Sequence, residues 1–314
     1  MKKIIRIQQR LTAPLNLTWI INNICPNKCT YCPPALHDGT NHNYDWDNAR
    51  RFFIDLFKRY PKIHCSVAGG EPSVSPFLRE IVEIFKDNNS TIGITSNAAK
   101  PVAYWADISK YLNYISFSWH GQYIDDNFYE KVMAAAVNTA VTVRIMIHPS
   151  DFERGIEEYN KFKDIDLIYC EPVRILNWNS SAVDPSNYTY SAEQLSWFEQ
   201  NIPKHKYLHH LPHLEWPDMT ADVILDDGTV DKNPNIVGYI NSGMTNFNGY
   251  QCEAGLKGLF IDWRGKIYLG NCQIGGAIGT IDDPERVKWP TGPVLCNKNL
   301  CHCSSDVVLN KWIE

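Results

Sequence analysis

The sequence predicts an α/β fold: a partial barrel of six strand–helix units, (β/α)6, followed by a small module of β-hairpin and loops. Two observations carry this. From about residue 15 to 177, short apolar runs alternate with amphipathic helical patterns, the rhythm of a parallel sheet with helices outside. Beyond residue 250 the chain turns loop-rich around "GLFIDWRGKIYLGNC", which reads as two short strands flanking "WRG". Six units make an incomplete barrel rather than a closed eight-stranded one.

The elements follow in order. "LTWII" (17–21) reads as a strand. "YDWDNARRFFIDLFKRY" (44–60) carries Ala49, Phe52, Phe53, Leu56, Phe57 and Tyr60 at helical spacing, and Pro61 stops it. "IHCSVA" (63–68) is a second strand. The next helix, 75–89, takes Ser75 as cap and Pro76 at its first position, with a Leu78/Ile81/Val82/Phe85 stripe. Strands at 92–96, 114–119, 141–147 and 165–170 continue the sheet, separated by helices near 101–112, 124–138 and 151–163. In "YISFSWH" Ile115, Phe117 and Trp119 oppose Ser116, Ser118 and His120. In "VTVRIMI" Val141, Val143, Ile145 and Ile147 oppose Thr142, Arg144 and Met146. The apolar faces suit the helices. The polar faces suit a wide lumen that holds a polar ligand.

Residues 178–250 break the rhythm. They are rich in Trp, Tyr, His, Asn and Pro, with one helix near 191–201, and read as a bridging or covering segment. The expected division is therefore 1–177, 178–250 and 251–314.

Thirty basic and 35 acidic residues give a net charge of −5, with no basic block, so nucleic acid is not an expected partner. No apolar run is long enough to span a bilayer, and "MKKIIRIQQR" lacks the apolar core of a secretory signal. The expected compartment is the cytoplasm, with no membrane partner.

Ten cysteines in such a chain stay reduced, and clustered cytosolic cysteines more often hold metal than form bridges. Cys65 and Cys170 stand alone in strand-like runs and read as small buried hydrophobes. The other eight form two groups. "NNICPNKCTYCPP" (22–34) sets Cys25, Cys29 and Cys32 in a C-x3-C-x2-C spacing. Three thiolates can hold three irons of a four-iron cluster and leave the fourth open. A zinc site borrowing His37 or His42 is the alternative from spacing alone.

That spacing, just after a first strand, resembles the signature of radical S-adenosylmethionine (SAM) enzymes. "GGEP" (69–72) ends the second strand, "TSN" (95–97) ends the third, and "SFSWHG" forms the fourth, in the family's order. The resemblance covers about residues 15–177 and implies a partial, TIM-like (β/α)6 barrel. It implies that Cys25, Cys29 and Cys32 bind [4Fe–4S], with the amine and carboxylate of SAM on the open iron. Gly69 and Gly70 would let the backbone approach, and Glu71 with nearby carbonyls would accept from the methionyl ammonium. Tyr31 would lie near adenine, and Ser96, Asn97 and Ser118 would contact ribose or methionine. Arg144 would meet a carboxylate, or form a structural ion pair. His120 would bond within the lumen or touch substrate. One electron would cleave SAM to methionine and a 5′-deoxyadenosyl radical that abstracts a substrate hydrogen atom.

The second group, Cys252, Cys272, Cys296, Cys301 and Cys303, resembles the auxiliary-cluster module called twitch, a shortened relative of the SPASM domain. One departure is that Gly265 has six residues before Cys272 where the family has four. Five thiols imply one auxiliary [4Fe–4S] cluster with a spare among Cys296, Cys301 and Cys303. Structural zinc is the alternative.

Such modules take up or relay an electron, or hold substrate. The expected substrate is a ribosomally made peptide, with a small alcohol or sugar as the second choice. An external one-electron donor of flavodoxin or ferredoxin type is implied. Only 24 residues precede Cys25, so a leader-peptide-binding domain is expected to be a separate protein. The alternative of another class is a non-catalytic zinc or iron–sulfur protein.

Overall fold

The computed structural model describes residues 2–10, 15–40, 45–123, 125–175, 188–201, 221–232 and 234–313. His42 and most of the aromatic and histidine-rich stretch lie outside these residues. The first strand in the chain, β1 (Ile4–Gln9), belongs to a small sheet. The large sheet begins with β2 (Leu15–Ile20), β3 (Ile63–Ala68), β4 (Thr91–Ser96), β5 (Tyr114–His120), β6 (Ala140–Ile147) and β7 (Ile168–Arg174). These six are parallel and paired in chain order, as the alternating pattern requires. Helices α1 (Trp46–Arg59), α2 (Leu78–Asp87), α3 (Val102–Ile108), α4 (Phe128–Ala136) and α5 (Phe152–Phe162) connect the strands from β2 to β7.

Asp45 starts α1 by accepting the N–H groups of Asp47 and Asn48, which its first turn leaves without helical partners. The expected stripe of Ala49, Phe52, Phe53, Leu56 and Phe57 is buried against the sheet. Removing each large side chain from water contributes about 1.5–3 kcal/mol. The helix expected at 75–89 begins later. Pro72–Val74 forms a 3-10 turn that ends at Ser75, so α2 starts at Leu78 with Phe77 as its N-cap and no side-chain cap. The last parallel strand also moves, to Ile168–Arg174 rather than 165–170, because Glu171 and Arg174 continue the pairing with β6.

After α6 (Ala192–Gln200) the chain adds β8 (Ala221–Leu225), β9 (Val230–Asp231), α7 (Ile236–Asn241) and β10 (Gln251–Cys252). The expected hairpin follows as β11 (Gly258–Ile261) and β12 (Lys266–Tyr268). Then come β13 (Ala277–Thr280), β14 (Val294–Leu295), α8 (Ser304–Val307) and β15 (Lys311–Trp312). The hairpin does not stand apart. β11 pairs parallel with β2, Gly258 opposite Asn16 and Ile261 opposite Trp19, so the large sheet runs β13-β12-β11-β2-β3-β4-β5-β6-β7. Among the described residues its two edges, β13 and β7, do not pair, and the sheet stays open. The small sheet, β14-β10-β15-β1-β8-β9, joins residues from both chain ends.

The faces follow the alternation. Ile115, Phe117 and Trp119 of β5 and the four aliphatic residues of β6 are buried, while Ser118, His120, Thr142 and Met146 are half-buried and Arg144 is exposed. At the N-terminal ends of the strands the polar face is plugged. The Tyr114 ring lies so close over Gly93 that a Cβ there would sit 2.0 Å from it. The Tyr114 and Ser66 hydroxyls are 2.6 Å apart, and His64 meets the Thr91 hydroxyl at 2.8 Å. Burial drops the His64 pKa to about 4. Access is therefore from the C-terminal ends. Among the described residues no helix is long and apolar enough to cross a membrane.

Candidate functional site

The chain leaving β2 keeps pairing with the chain leaving β3. Ile21 N donates to Ala68 O at 2.8 Å, Gly70 N to Asn22 O at 2.9 Å, and Glu71 N to Ile24 O at 2.7 Å. This lays "GGE" directly beneath the segment that enters the cysteine loop. The two glycines are required by that contact. A Cβ on Gly69 would come 2.7 Å from Asn22 O, and one on Gly70 would come 2.4 Å from Ile24 O and 2.6 Å from Leu36 O. The neighbours are backbone atoms with no room to yield.

Glu71 is fully buried, with its side chain turned into the fold. Its Oε1 accepts from Ser73 N (2.9 Å) and Ser96 Oγ (2.7 Å), and its Oε2 from Asn97 N (2.7 Å). Burial raises its pKa, against the lowering effect of these donors. The carboxylate thus ties the end of β3 to the end of β4, and the Ser96 hydroxyl is used inside the fold rather than at the open face. The turn continues through Ala98, whose φ of +61° is strained for a residue with a Cβ. Ala98 N donates to Ser96 Oγ (3.0 Å), and the buried Lys131 ammonium donates to Ala98 O (2.9 Å).

The product of this turn is the placement of Asn97. Its side-chain Nδ2 donates to Cys25 Sγ at 3.2 Å. Its Oδ1 is buried with no hydrogen-bond partner among the described residues. A buried carbonyl oxygen without a donor has accepting capacity left over for a ligand or a water.

The cysteine loop is gripped on its other side by the chain leaving β5. Lys28 N donates to Tyr123 Oη (2.6 Å), and Thr30 N to Gln122 Oε1 (3.0 Å). Gln122 Nε2 donates back to Thr30 Oγ1 (2.9 Å). Tyr31 Oη and His120 Nδ1 are 2.6 Å apart. Burial holds the His120 pKa down at about 4 and pushes that of Tyr31 far up, so the phenol donates to a neutral imidazole. Tyr31 also meets the Tyr188 ring edge-on at 6.5 Å. Gln122 and Tyr123 escaped the sequence reading, since a glutamine and a tyrosine after a strand carry no spacing signal.

Burial raises the Cys25 thiol, takes Cys32 to about 11 and Cys29 to about 12; Cys25 adds to the rise of both others, and Cys32 to that of Cys29. A bound iron would reverse that preference, since it takes the thiolate. Among the described residues no three ligand-type side chains stand at the spacing of a single metal ion. His37 Nε2 faces Cys32 O at 3.3 Å, so that nitrogen carries a proton and donates there instead of offering its own lone pair to a metal. Three thiols on one loop, an amide on one of them and an unpaired carbonyl beside it fit a cluster with a ligand at its open iron. Ser118 is half-buried on the polar face of β5. Arg144 forms an ion pair with Glu171 on the adjacent strand, so its guanidinium already has a carboxylate.

The second group comes together near the start of β11. Cys252, Cys272, Cys296 and Cys301 line one recess with Asp306, Lys298 and Lys311. Burial pushes Cys272 up to about 12 and raises Cys252 and Cys301; Cys252 acts on both of the others, and Cys296 acts on Cys252. Cys303 does not line the recess, and its thiol lies 3.0 Å from Ser305 Oγ. Asp306 fixes the second ligand position by accepting Cys272 N (2.8 Å) and Asn271 N (3.1 Å). Asn271 Nδ2 then reaches Thr18 Oγ1 of β2 at 3.4 Å, which joins this recess to the large sheet. Four thiols in one recess, not drawn in to the spacing of a single ion, fit a cluster better than zinc. Asp306, Lys311 and Asn271 had no signal in sequence.

The fold is α/β, with an open, mostly parallel sheet and a thiol loop over the C-terminal ends of its parallel strands. Residues 19–148 match the family model described as the radical SAM superfamily. Among solved structures, the chain is similar to native anSMEcpe with bound AdoMet and Cp18Cys peptide. The identity there is 15%, with 86% of this chain and 78% of that chain covered and a TM-score of 0.53. The anSMEcpe complex with Kp18Cys peptide gives 15%, 86%, 78% and 0.52. Streptococcus suis SuiB bound to precursor peptide SuiA gives 13% identity and a TM-score of 0.49. That match covers 87% of this chain and 63% of SuiB, so the chain spans less than two thirds of SuiB. These likenesses are of fold. No curated protein matches the chain.

Proposed function

We propose that this protein is a radical SAM enzyme that modifies a ribosomally made peptide. Cys25, Cys29 and Cys32 hold a [4Fe–4S] cluster whose open iron takes the amine and carboxylate of SAM. The observation that carries this is Asn97, with its amide on Cys25 Sγ and its buried carbonyl unpaired. When bound and reduced by an external donor of flavodoxin or ferredoxin type, the cluster and SAM supply methionine and a 5′-deoxyadenosyl radical able to take a substrate hydrogen atom. The chain's own residues orient and enclose. Asn97 Oδ1 accepts from SAM, Glu71 holds Asn97 in place, and the Tyr31–His120 pair walls the loop on the side of β5. Ser118 and the Arg144–Glu171 pair line the polar face toward substrate.

Cys252, Cys272, Cys296 and Cys301 hold one auxiliary [4Fe–4S] cluster, with Cys303 as the spare thiol. What supports a peptide substrate is the fold shared with anSMEcpe, a protein described with a bound peptide. A cytoplasmic location and a separate leader-binding protein belong to the same proposal.

Anaerobic purification followed by iron and sulfide counting, then dithionite and SAM, tests the reading. About eight irons per chain and formation of 5′-deoxyadenosine are expected for two four-iron clusters. Zinc in place of iron, with SAM left intact, would return the chain to the non-catalytic alternative. Mass spectrometry of co-expressed peptides separates a peptide substrate from a small alcohol or sugar.

A further inference from the structure

Lys311 on β15 is buried to 1% exposure, which is rare for a lysine without an ion-pair partner. Its Nζ donates to the carbonyls of Asp306, Val307 (3.2 Å) and Leu309 (3.3 Å) and lies 5.2 Å from the centroid of the Phe247 ring. Among the described residues no carboxylate stands within ion-pair distance of it. The Asp306 carboxylate is turned to Cys272 N and Asn271. Carbonyl dipoles and a ring face solvate an ammonium, yet they do not neutralise it, and a buried charge left alone is strongly unfavourable.

The group that Lys311 faces is the recess of Cys252, Cys272, Cys296 and Cys301, which its own side chain helps to line. Lys298 lines the same recess, but it is half-buried, where water screens it. With four neutral thiols the one carboxylate in the lining is Asp306, and it is turned to Cys272 N and Asn271 rather than to Lys311. As four thiolates around a cluster it is net negative, and more so after one electron enters.

We propose that Lys311 is the built-in counter-charge of the auxiliary cluster, and that its ammonium raises that cluster's reduction potential by favouring the more negative, reduced form. This rests on the auxiliary-cluster reading above. Net charge around a cluster is one of the protein's levers on its potential. Lys311 is a positioning residue here, since it touches neither substrate nor iron.

The test is an EPR-monitored redox titration of the holoenzyme, wild type against K311M and K311R, with and without SAM. The signal that SAM leaves unchanged reports the auxiliary cluster. K311M keeps the aliphatic stem and removes the charge, and its auxiliary potential should shift downward while K311R stays near wild type. K311Q, which can still donate to the carbonyls, serves if K311M does not fold. An unchanged potential in a folded, uncharged variant overturns the role of Lys311 and leaves the auxiliary cluster standing. A wild-type protein whose every iron–sulfur signal responds to SAM overturns the auxiliary cluster itself, and Lys311 with it.

Discussion

Asn97 binds Cys25 and Glu71 at once, with its side-chain amide 3.2 Å from the sulfur and its backbone N–H 2.7 Å from the carboxylate. Three sequence segments separated by dozens of residues thus meet in one side chain. Replacing it with alanine removes the donor to sulfur and the unpaired oxygen together. A hydrogen bond to a charged group contributes about 1.5–3 kcal/mol, so N97A should slow 5′-deoxyadenosine formation roughly 10- to 100-fold. Iron content should be near wild type. A variant that cleaves SAM at the normal rate would remove Asn97 from the site.

Glu71 accepts three donors and offers none. In E71Q one amide N–H must face Ser73 N, Ser96 Oγ or Asn97 N, leaving buried donors opposed. A loss of about 2–3 kcal/mol follows, read as a lowered Tm of the anaerobically prepared protein. SAM affinity should fall with it.

Gly70 is closed in by backbone on two sides. G70A forces Ile24 O and Leu36 O away and moves the entry to the cysteine loop. The variant should lose the iron held by Cys25, Cys29 and Cys32 while the auxiliary iron is retained. Metal analysis should find about half of the wild-type iron, from one four-iron cluster in place of two.

C303S should keep the full iron content, whereas C301S or C252S should lose about four irons per chain. Cys303 faces Ser305, while the other two line the recess. Equal losses in all three would assign the spare thiol elsewhere.

His64 fixes a pH dependence of stability. Its imidazole is buried and bonded to Thr91, with a folded pKa of about 4 against an ordinary value near 6.5. Between those values the unfolded chain holds a proton that the folded chain does not, so stability is complete above pH 6.5 and is lost as the pH falls toward 4. The loss is about 3 kcal/mol across that window. H64N should flatten this part of the denaturation profile, and an unchanged slope in urea titrations at successive pH values would contradict it.

The parallel sheet was legible because its strands are buried on one face and polar on the other, which writes period two into "YISFSWH" and "VTVRIMI". The β7 shift was not legible, because "EPVR" looks like a loop until Arg144 pairs with Glu171 from the neighbouring strand. Ser75 looked like a helix cap, yet Pro72 had already started a tighter turn. The cysteine loop and "GGE" could be read because their spacing is local. Asp306, Lys311 and the clamp of Gln122 and Tyr123 could not, since each acts across long sequence separations. The small sheet was hidden for the same reason, with four of its strands two residues long and its members drawn from both ends of the chain.

β11 occupies the flank of β2, with Gly258 to Ile261 filling its ladder. A fragment cut at residue 177 would therefore present a raw border beside Leu15, Leu17 and Trp19, open to any extended chain that drifted past. Such a truncation would clump rather than refold as a catalytic half. The cysteine-rich tail doubles as the hem of the sheet, and cofactor-free preparations should still require it to remain dispersed.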